Sequence, residues 1–225
     1  MKKNEYQRIE ACMLDCLQDT AHDKDHVYRV LYNAMAIAQE EHGADMEILI
    51  AACLLHDIGR PEQIADPRLC HAEVGAEKAF AFLLGMGWEE ARAEHVRQCI
   101  LSHRFRKSNP PQSIEARILY DADKLDVTGA IGAARTLAYN GAVGQPIYTT
   151  AADGSILDGS GDESGSYFHE HRWKLVKVYD RFLTDAGARI AAERKQAADD
   201  FYRSVLREVR DSAKAGRDLL VGALE

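Results

Sequence analysis

The stretch ILIAACLLHDIG, residues 48–59, decides the fold. The run from Ile48 to Leu55 has no polar side for a wet face, so it implies a helix buried nearly all round. At its end stand an imidazole and a carboxylate, His56 and Asp57, where burial demands partners. A divalent cation would satisfy both. The plainer alternative is a His-Asp pair capping a helix end near solvent. Gly59 and Pro61 stop the run.

Outward from this segment, apolar residues recur at three- and four-residue spacing, and no sustained apolar/polar alternation suggests strands. The chain reads as all-α, a single-domain helical bundle. Helices are expected over about 4–18, 25–42, 45–57, 70–85, 88–102, 113–126, 128–140, 166–184 and 187–215. Gly43, Gly85, Gly87 and Asn109-Pro110-Pro111 supply the punctuation. The segment 141–165, rich in Gly, Ser and Asp, is the best loop candidate: a mobile surface connection, or a lid over a binding site.

Composition excludes several classes. No stretch approaches the roughly 18 apolar residues of a membrane span, and the first twenty residues interrupt every apolar run with charge, so neither a membrane protein nor a signal peptide is expected. Five cysteines, at 12, 16, 53, 70 and 99, show no C-x-x-C pair, and their odd number argues against a disulfide framework. A reduced, cytoplasmic setting follows. The net charge of -8 disfavours long nucleic acids, yet a small phosphorylated ligand needs only a local cluster of cations.

A second group of acids lies in the apolar helix that carries Ile114, Ile118 and Leu119: Asp121, Asp123 and Asp126. At about 100° per residue, Asp121 and Asp123 point to nearly opposite faces, and Asp126 lies about 60° from Asp123. Asp123 shares its face with Leu119, Val127 and Ala130, which makes it the buried ligand, while Asp121 caps, pairs or meets solvent. Asp126 is placed to accept from a metal-bound histidine.

An isolated His26, then His56-Asp57, then a helical Asp resembles the HD-domain superfamily of metal-dependent phosphohydrolases. The segments AHDKDHVYRV, LLHDIG, AEVGAEKAFAFL, ILSHRF, ILYDADKLDVTGAIGAAR and YFHEHRWKL resemble, in order, a soluble, largely uncharacterised bacterial branch of it, over roughly residues 20–210. The resemblance implies a helical core over about 20–140, with C-terminal helices over about 166–215 packed on it. It implies that His26, His56, Asp57 and Asp123 ligate one metal. His71 and His103 stand where two-metal members supply histidines to a second ion bridged by the Asp of the HD pair; in single-metal members such residues bind a phosphate or a metal-bound water. His22 and Asp23 resemble the local flank and read as a structural cap. His42, His95, His169 and His171 read as packing or surface residues.

Such a mixed nitrogen and carboxylate site suits Mn²⁺, Fe²⁺, Co²⁺, Ni²⁺ or Zn²⁺ better than Mg²⁺, one or two ions per chain. The implied reaction is hydrolysis of a small phosphoester, a phosphomonoester or nucleotide, by metal-activated water that Asp57 orients. Arg29, Arg60, Arg104 and Lys124 each lie close to a ligand motif, as phosphate-binding or catalytic cations. For Lys124 a salt bridge with a neighbouring acid is the alternative. The run Arg104-Phe105-Arg106-Lys107 is either a solvated loop or a phosphate contact with Phe105 stacking on a base. Lys174 is a weaker candidate for the same role. Two further readings are a mixed-valent di-iron oxygenase of the same fold and a nucleotide-binding sensor without turnover.

Overall fold

The computed structural model describes residues 1–17, 24–105, 109–161 and 165–224, the side chain of Asp218 excepted. The chain is all-α: among the described residues there is no strand, only an isolated antiparallel bridge between Thr150 and Ile156. No helix among them is long and apolar enough to cross a membrane. Two compact units are present, Met1–Asp126 with Phe182–Ala188, and Val127–Arg181 with Arg189–Glu225.

The first unit contains α1 (Lys3–Cys16), α2 (Lys24–Glu40), α3 (Met46–Leu55), α4 (Arg60–Ala65), α5 (His71–Gly85), α6 (Glu90–Ser102) and α7 (Ile114–Leu125). Its axis is α3, the apolar run. Asp45 starts it by accepting hydrogen bonds from the amides of Glu47 and Ile48, two donors that a helix start otherwise leaves unpaired. Ile48, Leu49, Ala51, Ala52, Cys53, Leu54 and Leu55 are all buried, and α1, α2, α5, α6 and α7 all pack against α3. A helix enclosed on every side delivers its last residues into the interior. His56 and Asp57 are buried for that reason.

Gly59 and Pro61 end α3, as expected, but they also open the short helix α4, which the sequence reading passed over. Pro61 sits in the first turn of α4, where its missing N–H costs no hydrogen bond.

Asp121 takes the capping and pairing role expected of it, but it is more deeply buried than Asp123. Asp121 is 0% exposed, while the side chain of Asp123 is 30% exposed. The helix ends at Leu125, so Val127 and Ala130 do not continue Asp123's face. Asp121 is covered by a turn some sixty residues later in the chain: its carboxylate accepts from the amides of Leu183 and Thr184 and from the Thr184 hydroxyl. Thr184 Oγ1 in turn accepts from Gly187 at the start of α10 (Asp185–Leu224). Burial raises the Asp121 pKa against these donors.

The second unit contains α8 (Gly129–Ala142), α9 (Tyr167–Trp173), a 3-10 turn at Leu175–Asp180 and α10 beyond its first turn. Its core is Ala133, Tyr167, Phe168, Leu175 and Tyr202. The helix expected over 166–184 breaks at Lys174, whose φ of −124° leaves the helical region. The helix expected over 187–215 runs on to Leu224, because an interior glycine, Gly216, weakens a helix without ending it. The described part of the loop candidate is hydrogen-bonded at several points. Leu157 donates to Thr149 O, Trp173 Nε1 to Gly159 O and Tyr202 Oη to Asp158 O.

Candidate metal centre

Six of the residues singled out in the sequence meet in the first unit. His26 lies in the first turn of α2, His56 and Asp57 follow α3, His71 opens α5, His103 follows α6 and Asp123 lies in α7. Asp57 is the hub. Its Oδ2 lies 3.6 Å from Nε2 of both His26 and His56, and its Oδ1 lies 3.4 Å from His71 Nε2 and 3.8 Å from His103 Nε2. Asp123 Oδ1 is 3.4 Å from His26 Nε2. The ligand atoms form two groups, His26 with His56 and Asp123, and Asp57 with His71 and His103, each compact enough to hold a metal ion.

The outer nitrogens fix what the inner ones can do. His56 Nδ1 lies 2.7 Å from Cys53 O and His103 Nδ1 2.6 Å from Ile100 O. His26 Nδ1 lies 2.7 Å from Asp126 Oδ2 and His71 Nδ1 2.6 Å from Gln63 Oε1. Every one of these partners is an acceptor, so every Nδ1 is the donor, and a neutral ring then presents a lone pair at Nε2. The Gln63 orientation is fixed independently, because its Nε2 donates to Leu69 O. Four lone pairs therefore converge on a carboxylate, and none of these five groups offers a proton to another.

His56 Nε2, His71 Nε2 and Asp57 Oδ2 are buried and make no hydrogen bond. Buried polar atoms without partners are costly, and a divalent cation is the partner common to all of them. The donor set of imidazole and carboxylate suits the first-row transition metals.

Protonation follows the same logic. Burial, reinforced for His103 by its histidine neighbour His56, lowers His71 to about 2 and His103 to about 4. Burial alone would raise the carboxylates. The Arg60 guanidinium offsets it at Asp57, and both carboxylates stay ionised. A consequence concerns the metal-free protein. Unfolded histidine takes up a proton below about pH 6.5, whereas folded His103 resists it down to about 4. The unfolded chain then binds more protons, and stability falls as the pH drops through that window. Both carboxylates stay ionised in the fold, and unfolded Asp begins to take up protons below about pH 5, which adds to the fall at the acid end of the window. Thermal melts in chelator should show Tm declining from pH 6.5 to 4; a flat profile would contradict the neutral cluster.

The cations singled out in the sequence fall in different places. Arg29 binds Asp126 through Nε at 2.6 Å and Nη2 at 3.0 Å. Arg60 donates from Nε to Asp57 Oδ1 at 3.0 Å, so it faces the centre's own carboxylate. Lys124 stands 4.2 Å above the Tyr120 ring, a cation–π contact. Phe105 packs edge-on against the same ring and, at φ 39°, is a non-glycine residue in left-handed geometry. Arg104 is half-buried, with Nη1 3.9 Å from Cys70 Sγ.

Lys174 belongs to the second unit, is 73% exposed and pairs with Glu170 one helical turn away. His171, also in that unit, stacks on Tyr202 at 4.2 Å, a packing role. His95 pairs with Glu115 at 3.0 Å instead of facing only Glu94 and Arg97. Arg106, Lys107, His22 and Asp23 lie outside the described residues. Gln63 was missed in the sequence. The signal that points to it is Pro61, which reads equally well as the first turn of a helix carrying Gln63 towards the start of α5.

The HD domain family model matches residues 24–128. YpgQ of Bacillus subtilis (strain 168), an uncharacterized protein, is 31% identical over 194 residues, covering 85% of this chain and 86% of its own. The crystal structure of YpgQ in complex with ADP has a TM-score of 0.71 at 27% identity, over 91% of this chain and 95% of that one. An HD-superfamily hydrolase from Bacillus thuringiensis gives 0.70 at 29% identity, over 92% and 98%. With the HD pair at the hub of a histidine cluster and these relatives spanning most of its length, the chain belongs to the HD-domain superfamily.

Proposed function

We propose that this chain is a metal-dependent phosphohydrolase that cleaves a small phosphoester, with a nucleotide as the favoured substrate class. The observation that carries the reading is the convergence of four imidazole Nε2 atoms on the two oxygens of Asp57. His26, His56 and Asp123 would hold one ion and His71 and His103 a second, with Asp57 shared between them. Divalent ions in such a site lower the pKa of a water they bind and withdraw charge from phosphoryl oxygens.

The chain's own groups do the rest. Asp126 and Gln63 hold the Nδ1 protons of His26 and His71, which keeps the opposite lone pairs aimed inward. Arg60 keeps Asp57 ionised. Arg104 and Lys124 would bind phosphoryl oxygens, while Phe105, 40% exposed, offers a face to a base. The ADP found with YpgQ supports a nucleotide in this role.

The two groups of ligands also keep a di-iron oxygenase in view, and one experiment separates the readings. Protein purified without added metal is analysed for its elements, then assayed for phosphate release from nucleotides with Mn²⁺, Fe²⁺, Co²⁺, Ni²⁺ and Mg²⁺. The expected result is one ion per ligand group, two per chain, with phosphate released. Iron with dioxygen consumption and no phosphate would favour the oxygenase, and absence of bound metal would sink both.

A further inference from the structure

The second unit carries a groove of about 660 Å³ between α10 and the segment 155–158. None of its lining residues belongs to the metal centre. The wall opposite α10 is a built turn: Ala151 N donates to Ser155 O, Gly154 N to Ala151 O and Leu157 N to Thr149 O. Tyr202 Oη of α10 fastens it from the other side by donating to Asp158 O at 2.7 Å. The helix contributes Arg210, Ala213, Lys214 and Arg217, whose three- and four-residue spacing puts them on one face. Three of these four side chains are cations, in a chain whose net charge is -8. We propose that this groove binds a ligand carrying two or more linked phosphates.

The contacts that hold the cations do not cancel their charge. Arg210 Nη2 donates to Ile156 O at 3.2 Å, and Arg217 Nη2 donates to Gly154 O. A neutral carbonyl occupies one of a guanidinium's five N–H groups and leaves its formal charge, so it orients the fork and keeps the other donors for an anion. Gly154 permits the second contact: its φ is +76°, and an added Cβ would stand 3.1 Å from Arg217 Nη2. Lys214 is exposed between the two arginines and makes no hydrogen bond or ion pair among the described residues. The acids nearby are engaged. Asp158, the carboxylate of the lining, pairs with Arg172 and accepts from the amide and hydroxyl of Ser160, while Asp153, beside Arg217, accepts from Ser155 N. The groove keeps an excess of positive charge.

Spacing selects the ligand. Arg210 and Arg217 are about 10 Å apart along the helix, with Lys214 between them, and they are anchored at different carbonyls of the turn. Anchored apart, they do not close on one phosphate, whereas a linear polyphosphate presents its charges in a row along the same face. Ile156, Leu157 and Ala213 are the apolar part of the lining, room for a base beside the phosphates. An inorganic polyphosphate and a nucleoside polyphosphate share the chemistry that the cations recognise.

The test uses the full chain in chelator, so that no divalent ion draws the probes to the metal centre. Tripolyphosphate, pyrophosphate, ADP and inorganic phosphate are titrated calorimetrically at low and moderate salt. The expected result is saturable binding of tripolyphosphate, at least about tenfold tighter than inorganic phosphate and weaker as salt is raised. Lys214→Glu removes one charged contact and adds a repelling one, which should cost about tenfold or more. Because Lys214 anchors no backbone group, the Tm of this variant and the metal content of the protein purified without chelator should match wild type. That combination separates the groove from the metal centre. ADP binding tighter than pyrophosphate would assign the apolar lining to a base, and equal binding would assign the groove to the inorganic chain; either supports the site. Unchanged tripolyphosphate affinity in Lys214→Glu, equal affinity for inorganic phosphate, or no binding at millimolar concentration overturns the proposal.

Discussion

Asp57→Asn should abolish turnover and strip the bound metal while leaving the fold intact. The amide has the shape of the carboxylate, so the surrounding packing is undisturbed, and its oxygen still accepts from Arg60 Nε. What it loses is the charge facing four lone pairs. The amide nitrogen of Asn can donate to one of those Nε2 atoms, which gives a buried orphan a partner and removes the need for a cation. Loss of an outer partner of a metal ligand typically costs 10–100-fold, and in the proposed site Asp57 would be shared between both ions, so the activity should fall by at least about a thousandfold. The metal-free variant should melt no lower than metal-free wild type. Its Tm should also no longer rise on adding metal, since that rise measures binding to the folded state. Normal turnover in Asp57→Asn would refute the proposed mechanism outright.

The hub was legible because the features that create it are local. An apolar run without a wet side must be buried, and whatever ends it is buried too; that places His56 and Asp57 without any tertiary information. The other candidate ligands each stand at a helix end or on a helix face, and it was the resemblance to the HD-domain pattern that implied the set. The partners that hold them were less legible. Asp126 was visible because it lies near Asp123 on one helix, and it meets His26 at 2.7 Å. Gln63 was hidden by reading Gly59 and Pro61 only as breakers, although a proline also opens a helix. Asp121 illustrates a deeper limit. Its burial depends on a turn at Leu183 and Thr184, and helical periodicity carries no information about what folds over a face from sixty residues away. The cations near the motifs divided for the same reason: adjacency in sequence brought Arg60 to Asp57, whereas Lys174 pairs on its own helix face with Glu170.

The glycine after the HD pair carries the second large effect. At Gly59 an added Cβ would stand 2.3 Å from His71 O and 2.6 Å from Gly75 N, both backbone atoms of α5. No side-chain rotation relieves such a contact, so the turn and the helix must part. The reverse position is more forgiving, because a Cβ at Gly75 meets Gly59 N at 3.2 Å and His56 O at 3.5 Å. The graded pair makes a controlled test. Gly59→Ala should cost about 3 kcal/mol, the upper end for overpacking, which lowers Tm by roughly 6–12 °C in a chain of this size. Gly75→Ala should cost well under half of that. The same displacement separates Asp57 from His71, which opens α5, so under the proposed two-ion site Gly59→Ala should also lose an ion at Asp57, His71 and His103 before one at His26, His56 and Asp123. Elemental analysis of the two variants, beside their melting curves, reads both effects. Equal metal content and equal Tm in the two would mean that close backbone approach is not what a glycine provides there. The expected ordering would tie the HD turn to α5 as the contact that sets the distance between the two halves of the centre.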